Sequence, residues 1–438
     1  MSIPLDRLYH YINNIAQESC QKILNDPVVV YYFYPHGSKD INNLISFKKL
    51  SEYEKFLCPE LYCNDQEPLD YDRYENAELR RNEQPTAEIL EIFKRKNITF
   101  PKFNFRGQIA TVWDWALLLH SEKRSTEVDR YQASQFVPVY YWSHAVISLD
   151  WFRYAEHVTQ CKNIKKPFLI YSRAWSGTRE YRLRFAELLI HLNLQEHCKT
   201  SVNPIEPELG VHYNLHTFKN PMWRPQTVLE NHFPISDAHS HYSADFDMED
   251  YEATDIEVVL ETLFDDTRLQ LTEKSLRPIA CGQPFILAGT HGSLEYLRSY
   301  GFKTFGDVWD ESYDLVEDPA ERLIQIAELM KYISNWLPHQ RERNMAQAQA
   351  IADYNKQHFF SDKFFNQITG ELKTNLTSAF AQLEAINTSK YFSERRKIFS
   401  SDPDLAPFGK KNKSDEMSKL IEERMQHYNM RSLNCVNK

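Results

Sequence analysis

The chain has 438 residues, of which 42% are hydrophobic, 13% are aromatic and only 11 are glycine, and its formal net charge is −10. This composition indicates a globular protein with room for two domains and an extension, and it excludes a fibrous or low-complexity chain. No stretch approaches the roughly 18 apolar residues that cross a bilayer, and the first residues lack an export signal, so we expect a cytoplasmic protein without a membrane span.

The first third of the sequence predicts alternating helices and strands. Apolar residues recur at helical spacing over residues 5–23, and Asn25-Asp26-Pro27 stops the pattern. The β-branched and aromatic residues 28–34 predict a strand, and residues 61–63 predict the end of another. Residues 71–101 are charged and irregular, which indicates an excursion from the core.

Sharper signals begin near residue 166. Residues 167–171 predict a buried strand, and the helix after it has an apolar face formed by Tyr181, Phe185, Leu188, Leu189 and Leu192. The pattern then predicts a strand at residues 256–263, a helix from Thr272, a strand from Phe285 and a helix from Ser293. Repeated strand–helix units predict a mostly parallel sheet with helices on both faces.

The last part of the chain predicts helices. Asp318-Pro319-Ala320-Glu321 begins one of them with an acidic N-cap, a proline at the first helical position and a glutamate at N3. The pattern stays helical and polar from His339 and is loosely ordered after about Ser400. We therefore predict an N-terminal α/β domain over residues 1–165, a C-terminal α/β domain over 166–335 and a helical extension over 336–438.

The most informative motif lies in residues 271–289. Thr272, Glu273 and Lys274 begin a helix, Gly282 ends it, and a buried strand starts at Phe285. A helix start of this kind combines free backbone N–H groups with a carboxylate and an ammonium group. The combination is suited to binding a nucleotide diphosphate and its sugar.

This motif resembles the donor-binding motif of GT-B glycosyltransferases, especially fucosyltransferase-like enzymes, in which Thr-Glu-Lys opens a helix and a Gly-x-Pro turn leads into a strand. The similarity continues through residues 292–297 and 301–305. With residues 64–68 and 171–173 upstream, the longer pattern resembles glycosyltransferases of phages and marine bacteria. The C-terminal half matches well, whereas the N-terminal half matches in short patches.

The resemblance implies a GT-B-like α/β fold, in which two Rossmann-type domains face a cleft and the last helices cross back to the first domain. It also implies metal-independent transfer of a sugar from a nucleotide-sugar donor to an acceptor hydroxyl, without a further cofactor. The donor would bind residues 166–335, and the acceptor would enter from residues 1–165. A phage-encoded enzyme would act in the host cytoplasm. The alternative is a catalytically inactive GT-B-like binding or scaffold protein.

Three arginines follow the predicted strand at residues 167–171, namely Arg173, Arg179 and Arg182. Ligands of open α/β sheets bind at the carboxyl ends of strands, so these guanidinium groups are candidates for forked contacts with the donor diphosphate. The structural alternative places Arg179 and Arg182 on a solvated helix face with Glu180 and Glu187.

Thr272, Glu273 and Lys274 are the other donor-binding candidates. Glu273 would accept hydrogen bonds from sugar or ribose hydroxyls, and Lys274 would neutralise a phosphate oxygen as charge develops on the leaving group. The structural alternative is a well-capped helix start in which Arg277 pairs with Glu273 as an ordinary helix salt bridge.

An inverting transferase needs a carboxylate or an imidazole to accept the proton of the acceptor hydroxyl. Asp65 and Glu67 are candidates because they follow a predicted strand end, and His36 is one because it follows the first strand. His144, in Tyr141-Trp142-Ser143-His144, is a further candidate. Each has an ordinary alternative, such as a turn cap for Asp65 or a hydrogen-bonded core residue for His144.

Metal binding is weakly indicated. Asp245 and Asp247 form an Asp-x-Asp pattern, but such patterns occur by chance in an acidic segment, and His239-Ser240-His241 lacks a third ligand in register. The seven cysteines are scattered, which indicates reduced thiols rather than a disulfide framework or a zinc site. We therefore expect no metal.

Charge is distributed unevenly, with balances of about −2, −12 and +4 in the three predicted segments. The acceptor can thus be a surface glycan or, for a phage enzyme, a hydroxymethylated cytosine in DNA. The basic tail, with Lys410, Lys411 and Lys413, keeps the DNA acceptor open even though the whole chain is acidic.

Overall fold

The computed structural model describes residues 6–32, 58–64, 67–72, 113, 115–207, 209–233 and 246–387. The chain forms two compact units. The first comprises Met1–His120, Glu127–Val139 and Leu372–Lys438, and the second comprises Ser121–Thr126 and Tyr140–Glu371. These ranges divide the chain differently from the segments predicted above. A compact unit need not be an independently folding domain, so the boundaries after residues 165 and 335 stay predictions.

The first unit contains a helix followed by a four-stranded sheet. Its elements are α1 (Asp6–Leu24), β1 (Val29–Tyr32), β2 (Glu60–Asn64), β3 (Ala116–His120), α2 (Glu127–Ala133) and β4 (Phe136–Tyr140). The strands lie in the order β1-β2-β3-β4, and the β1–β2 and β2–β3 pairs are parallel. Helix α1 buries Ile12, Ala16, Cys20 and Leu24, one residue per turn, which confirms the predicted amphipathic helix.

The second unit contains more strand–helix units. Its strands are β5 (Lys166–Ile170), β6 (Cys198–Thr200), β7 (Ile205–Glu206), β8 (Val211–His212), β9 (Thr254–Leu260) and β10 (Phe285–Ala288). Its helices are α3 (Ser143–Trp151), α4 (Tyr181–His191), α5 (Met248–Glu252), α6 (Glu273–Cys281), α7 (Ser293–Ser299), α8 (Pro319–Ser334) and α9 (Pro338–Phe359), and α10 (Asp362–Asn387) begins in this unit. Strands β7 and β8 form a separate antiparallel pair.

The main sheet of the second unit has the order β10-β9-β5-β6, and all its pairs are parallel. This confirms the predicted α/β class with a parallel sheet. The chain passes from β5 to β6 on one side and then crosses to β9 on the other, so the strand order reverses between β5 and β9. Ligands of such sheets bind outside the carboxyl ends of the strands at this switch point. The loops after β5 and β9 are therefore the first place to look for a site.

Three helix boundaries were predicted correctly from local sequence. Thr272 is the N-cap of α6, and Gly282 ends that helix in the left-handed conformation with φ 70°. Asp318 caps α8 by accepting a hydrogen bond from the N–H of Glu321 at 2.8 Å, with Pro319 at the first helical position. These helix ends thus follow ordinary capping chemistry.

One predicted strand is too long. Residues 256–263 were predicted as a strand, but β9 ends at Leu260. The next residue, Glu261, turns its carboxylate toward the start of α6, as described below, and Leu263 and Phe264 are buried outside the sheet. The apolar pattern therefore continues past the strand because the loop itself packs into the core.

Candidate functional site

The start of α6 is occupied by a carboxylate of the protein itself. Glu261 Oε1 accepts the backbone N–H groups of Thr272 at 3.0 Å and Ser275 at 3.2 Å, as well as the Ser275 hydroxyl at 2.5 Å. Glu261 Oε2 accepts the Thr272 hydroxyl at 2.6 Å and the Thr262 N–H at 3.1 Å. The prediction that these N–H groups are free to bind a diphosphate is therefore wrong, because a buried side chain already satisfies them.

Glu273, the first residue of α6, is held by Lys274 and His144. Its Oε1 lies 2.7 Å from Lys274 Nζ, and its Oε2 lies 3.2 Å from His144 Nδ1. Burial by itself raises the pKa of the Glu273 carboxyl, but Lys274 and His144 outweigh it and hold that pKa well below its ordinary value of 4.5. Glu273 is therefore a carboxylate at neutral pH.

Lys274 lies beside the same turn. Its Nζ is 3.2 Å from the Thr272 hydroxyl and 3.3 Å from the Thr262 hydroxyl, and its side chain is 16% exposed. The ammonium is thus fixed between the β9 loop and the start of α6, with part of its surface open to solvent. This arrangement can still neutralise one oxygen of an anionic ligand.

Arg277 does not pair with Glu273. Its Nη2 instead donates to Glu257 Oε1 at 2.5 Å, both side chains are buried, and the guanidinium lies 4.4 Å from the centre of the Tyr171 ring. The expected salt bridge within the helix is therefore absent, because Arg277 faces β9 rather than the surface. The pair connects α6 to the strand on which it packs.

The three arginines after β5 have different environments. Arg182 is only 4% exposed, and its guanidinium donates to the carbonyls of Ala174 at 2.6 Å and Leu260 at 2.5 Å. Arg179 is partly exposed and donates to the Ser176 carbonyl at 3.3 Å, and Arg173 is partly exposed in the β5 loop. Only Arg173 and Arg179 have surface that a ligand can reach.

The alternative prediction placed Arg179 and Arg182 on a solvated helix face with Glu180 and Glu187. It is also wrong. Glu180 and Glu187 are buried, and α4 begins at Tyr181, so Arg179 lies in the short 3-10 turn before the helix. Arg182 instead joins the loop after β5 to the end of β9. It thereby fixes the distance between the two loops at the switch point.

Segment 213–224 is attached to both of these loops. The Glu180 carboxylate accepts the N–H groups of Lys219 at 2.9 Å and Asn220 at 3.1 Å. Asp265, in the loop after β9, accepts the side-chain N–H groups of Asn220 at 2.8 Å and Trp223 at 2.5 Å. These contacts place the segment against the switch point.

A second buried arginine lies at the carboxyl edge of the sheet. Arg322 donates to the carbonyls of Gly289 at 3.1 Å and Phe264 at 2.5 Å, and burial lowers its pKa to about 10. It remains a cation at neutral pH. Burial, Arg124 and Arg322 together lower the pKa of His291, in the loop after β10. Two cations, Arg124 and Arg322, therefore act on this edge, while Asp314, Asp318 and Asp265 act on Arg322 in the opposite sense.

The predicted acceptor-side residues are mostly outside the described residues. Asp65 and His36 are among those, whereas Glu67 is described and lies exposed after β2. His144, by contrast, is 3% exposed in α3 and contacts Glu273. The structure therefore brings His144 to the predicted donor-binding turn, which the sequence did not indicate.

The weak metal candidates show no site in the described part of the chain. Asp247 caps α5 by accepting the N–H of Glu249 at 2.9 Å, while Asp245, His239 and His241 lie outside the described residues. Across residues 6–32, 58–64, 67–72, 113, 115–207, 209–233 and 246–387 there is no group of three or more His, Cys, Asp or Glu side chains suited to a metal ion.

The aromatic stretch near residue 140 contributes to the core. Trp142 is fully buried, its Nε1 donates to the Leu271 carbonyl at 2.9 Å, and its ring lies 4.6 Å from that of Tyr300. Trp142 is therefore a core residue. The same hydrogen bond joins the start of α3 to the residue before Thr272.

Comparison of the chain with protein-family models, with curated protein sequences and with solved structures gives no match. Among the helices in the described ranges, none combines the length and the apolar character needed to cross a bilayer.

Three features of the site were missed at the sequence level. Glu261 is 11 residues before Thr272 in the chain, and no short motif links the two. The His144–Glu273 contact joins residues far apart in sequence, and Arg322 lies on the otherwise ordinary helix α8. Only the position of Glu261 directly after a buried strand was a usable signal, because such positions lie at the ligand-binding edge.

Proposed function

We propose that this protein is a glycosyltransferase that moves a sugar from a nucleotide-sugar donor to an acceptor hydroxyl. The observation that carries the proposal is the reversal of strand order between β5 and β9, at whose carboxyl ends Arg173, Glu273 and Lys274 are found. The resemblance of the Thr272–Lys274 turn to GT-B donor sites supports the same assignment. A GT-B arrangement of two Rossmann-type domains belongs to this proposal.

Glu273 and Lys274 have complementary roles in the proposed site. The Glu273 side chain is 7% exposed, and a carboxylate that is kept ionised is a strong acceptor for the ribose or sugar hydroxyls that reach it. The Lys274 ammonium, beside it, stabilises negative charge that develops on the leaving diphosphate. Because Glu261 already accepts the N–H groups of Thr272 and Ser275, the phosphate contacts in this proposal come from side-chain cations rather than from the helix start.

The surroundings favour an anionic ligand at this edge. Arg182 and Arg322 are buried, and they donate to main-chain carbonyls at the ends of β9 and β10. Within the described residues neither forms a direct ion pair, although Glu261 offsets part of the charge of Arg182 and Asp314 part of that of Arg322. Arg173 and Arg179 add partly exposed guanidinium groups on the β5 side. These charges offset the acidity of the unit locally, since distant surface charges are screened beyond about 8–10 Å.

On the acceptor side, Asp65, Glu67 and His36 remain the proposed bases for the hydroxyl proton. The proposed reaction needs no metal or further cofactor, so chelation with EDTA is expected to leave turnover unchanged. We propose that the enzyme acts in the cytoplasm, which is the host cytoplasm if the gene belongs to a phage. The acceptor is a surface glycan or a hydroxymethylated base of phage DNA.

One observation favours the rival proposal of an inactive binding or scaffold protein. The Glu261 carboxylate occupies the helix start that would otherwise bind phosphate. Hydrolysis of nucleotide sugars without an acceptor separates the two proposals. Release of UDP, GDP or CMP from one member of a panel of UDP-, GDP- and CMP-sugars is expected for the enzyme. Binding of a nucleotide sugar without any turnover, with or without acceptor, would favour the scaffold.

A further inference from the structure

His144 and Glu273 lie at the starts of two different helices, and their side chains are in contact. His144 is the second residue of α3, and Glu273 is the first residue of α6. The two helix starts are joined by the hydrogen bond from Trp142 Nε1 to the Leu271 carbonyl. Each contacting side chain is thus attached to a rigid element, and neither helix start can shift without breaking a buried contact.

The two oxygens of Glu273 are held by different groups. Oε1 is 2.7 Å from Lys274 Nζ, on the same turn of α6, and Oε2 is 3.2 Å from His144 Nδ1, on another helix. Lys274 alone leaves the carboxylate free to rotate about its last side-chain bond, because a flexible ammonium can follow it. The imidazole is packed in the core and cannot follow. His144 therefore sets the plane of the carboxylate.

We propose that His144 is a positioning residue that fixes Glu273, through its Nδ1 atom, in the orientation that accepts hydrogen bonds from hydroxyls of the sugar nucleotide. This inference rests on the proposed function. A carboxylate held between the Lys274 ammonium and the His144 imidazole keeps the remaining lone pairs of its oxygens for a ligand. Binding then costs little ordering of this side chain.

The alternative is a purely structural role, in which His144 only fills space in the core. The two nitrogen atoms of the imidazole separate these explanations. Asparagine places an amide nitrogen near the position of Nδ1, whereas glutamine places one near that of Nε2. If Nδ1 is the atom that matters, His144→Asn retains the contact with Glu273 and His144→Gln loses it. A space-filling role would favour neither atom.

The test is titration of wild type, His144→Asn and His144→Gln with UDP, GDP, CMP and their sugars. We expect His144→Gln to weaken the affinity for the bound nucleotide sugar at least about tenfold, because Glu273 loses its contact with Nδ1 and must be ordered when the ligand binds. We expect His144→Asn to stay within about threefold of wild type. His358→Gln is the matched control, since His358 is also a buried histidine of this unit and bonds the Tyr300 carbonyl at 2.7 Å. It should leave the affinity unchanged.

The outcomes separate the inference from the function on which it rests. If wild type binds none of the nucleotides, the proposed function fails and the inference falls with it. If wild type binds and His144→Gln binds equally well, or if both His144 variants are equally weak, only the inference is overturned. Should His144→Gln fail to fold, NMR of ¹⁵N-labelled histidine decides. The Nδ1 signal of His144 must then change in Glu273→Gln, and an unchanged signal overturns the inference.

Discussion

Glu261 and Ser275 share two hydrogen bonds, because Glu261 Oε1 accepts both the backbone N–H of Ser275, at 3.2 Å, and its hydroxyl, at 2.5 Å. The carboxylate thus acts as a cap contributed by the end of the preceding strand rather than by the helix itself. It attaches the start of α6 to the end of β9. The residues proposed to bind the donor depend on that placement.

Removal of this internal cap should therefore be measurable without any ligand. We expect Glu261→Ala to lower the free energy of unfolding by about 2–4 kcal/mol, because buried N–H and hydroxyl groups lose their acceptor. Formate or acetate can occupy the vacated space and should restore part of the melting temperature of the variant but not raise that of wild type. Thermal unfolding with and without about 100 mM formate measures this. Equal effects of formate on both proteins would rule out a specific anion position.

The Glu273 carboxylate should stabilise the fold in a pH-dependent way. Its pKa in the folded protein lies well below 4.5, held there by Lys274 and His144 against the opposing effect of burial. Because this pKa is lower in the folded protein than in the unfolded chain, the carboxylate contributes its full stabilisation at pH values above the unfolded-state pKa. The stabilisation is lost as the pH falls through the folded-state pKa. We expect Glu273→Gln to cost about 1–3 kcal/mol at pH 7, and this difference should shrink as the pH falls below about 4.5. Denaturant unfolding of both proteins between pH 3 and pH 7 tests it. A difference that grows toward acid would contradict the assignment.

The buried Arg277–Glu257 pair should behave as a coupled unit. Arg277→Met leaves the Glu257 carboxylate buried without its cation, so we expect a loss of about 3–5 kcal/mol. The double variant Arg277→Met/Glu257→Gln should cost less than the sum of the single changes. Arg341→Met is the matched control. Arg341 also pairs with an aspartate of β9, Asp255, but its side chain is 40% exposed, so we expect about 1 kcal/mol or less. Additive single effects in denaturant unfolding would exclude the coupling.

Local chemistry explains which parts of this fold were predictable. Thr272, Gly282 and Asp318 were assigned correctly because a cap or a left-handed stop depends on residues within a few positions. The parallel sheet was predictable because strand and helix periods alternate along the chain. The end of β9 was not, because Leu263 is as apolar in a packed loop as it would be in a strand.

The candidate site was harder to predict because its contacts are not local. The pattern identified the residues at the start of α6, but not that Glu261 would occupy the N–H groups there or that His144 would contact Glu273. Arg182 was assigned to the ligand although it is buried against carbonyls of two loops. Long side chains at strand ends reach either solvent or neighbouring loops, and only the fold decides between them.

The acceptor can be identified through the salt dependence of binding. A DNA acceptor must be bound through its phosphates, so its affinity should fall steeply between about 50 and 200 mM salt as counterions are released. A neutral glycan should show little dependence. Titration of the protein with hydroxymethylcytosine-containing and ordinary DNA at both salt concentrations distinguishes these cases. Absence of binding to either DNA at low salt would leave the glycan as the proposed acceptor.

The most direct test of the central claim is calorimetric titration of wild type, Glu273→Ala and Lys274→Ala with UDP-, GDP- and CMP-sugars. We expect one nucleotide class to bind wild type, and each variant to bind it about tenfold more weakly or worse while keeping a cooperative thermal transition. Arg341→Met serves as the folded control with unchanged affinity. Failure of every nucleotide sugar to bind wild type, or equal affinity in all four proteins, would contradict the assignment of a donor site to the start of α6.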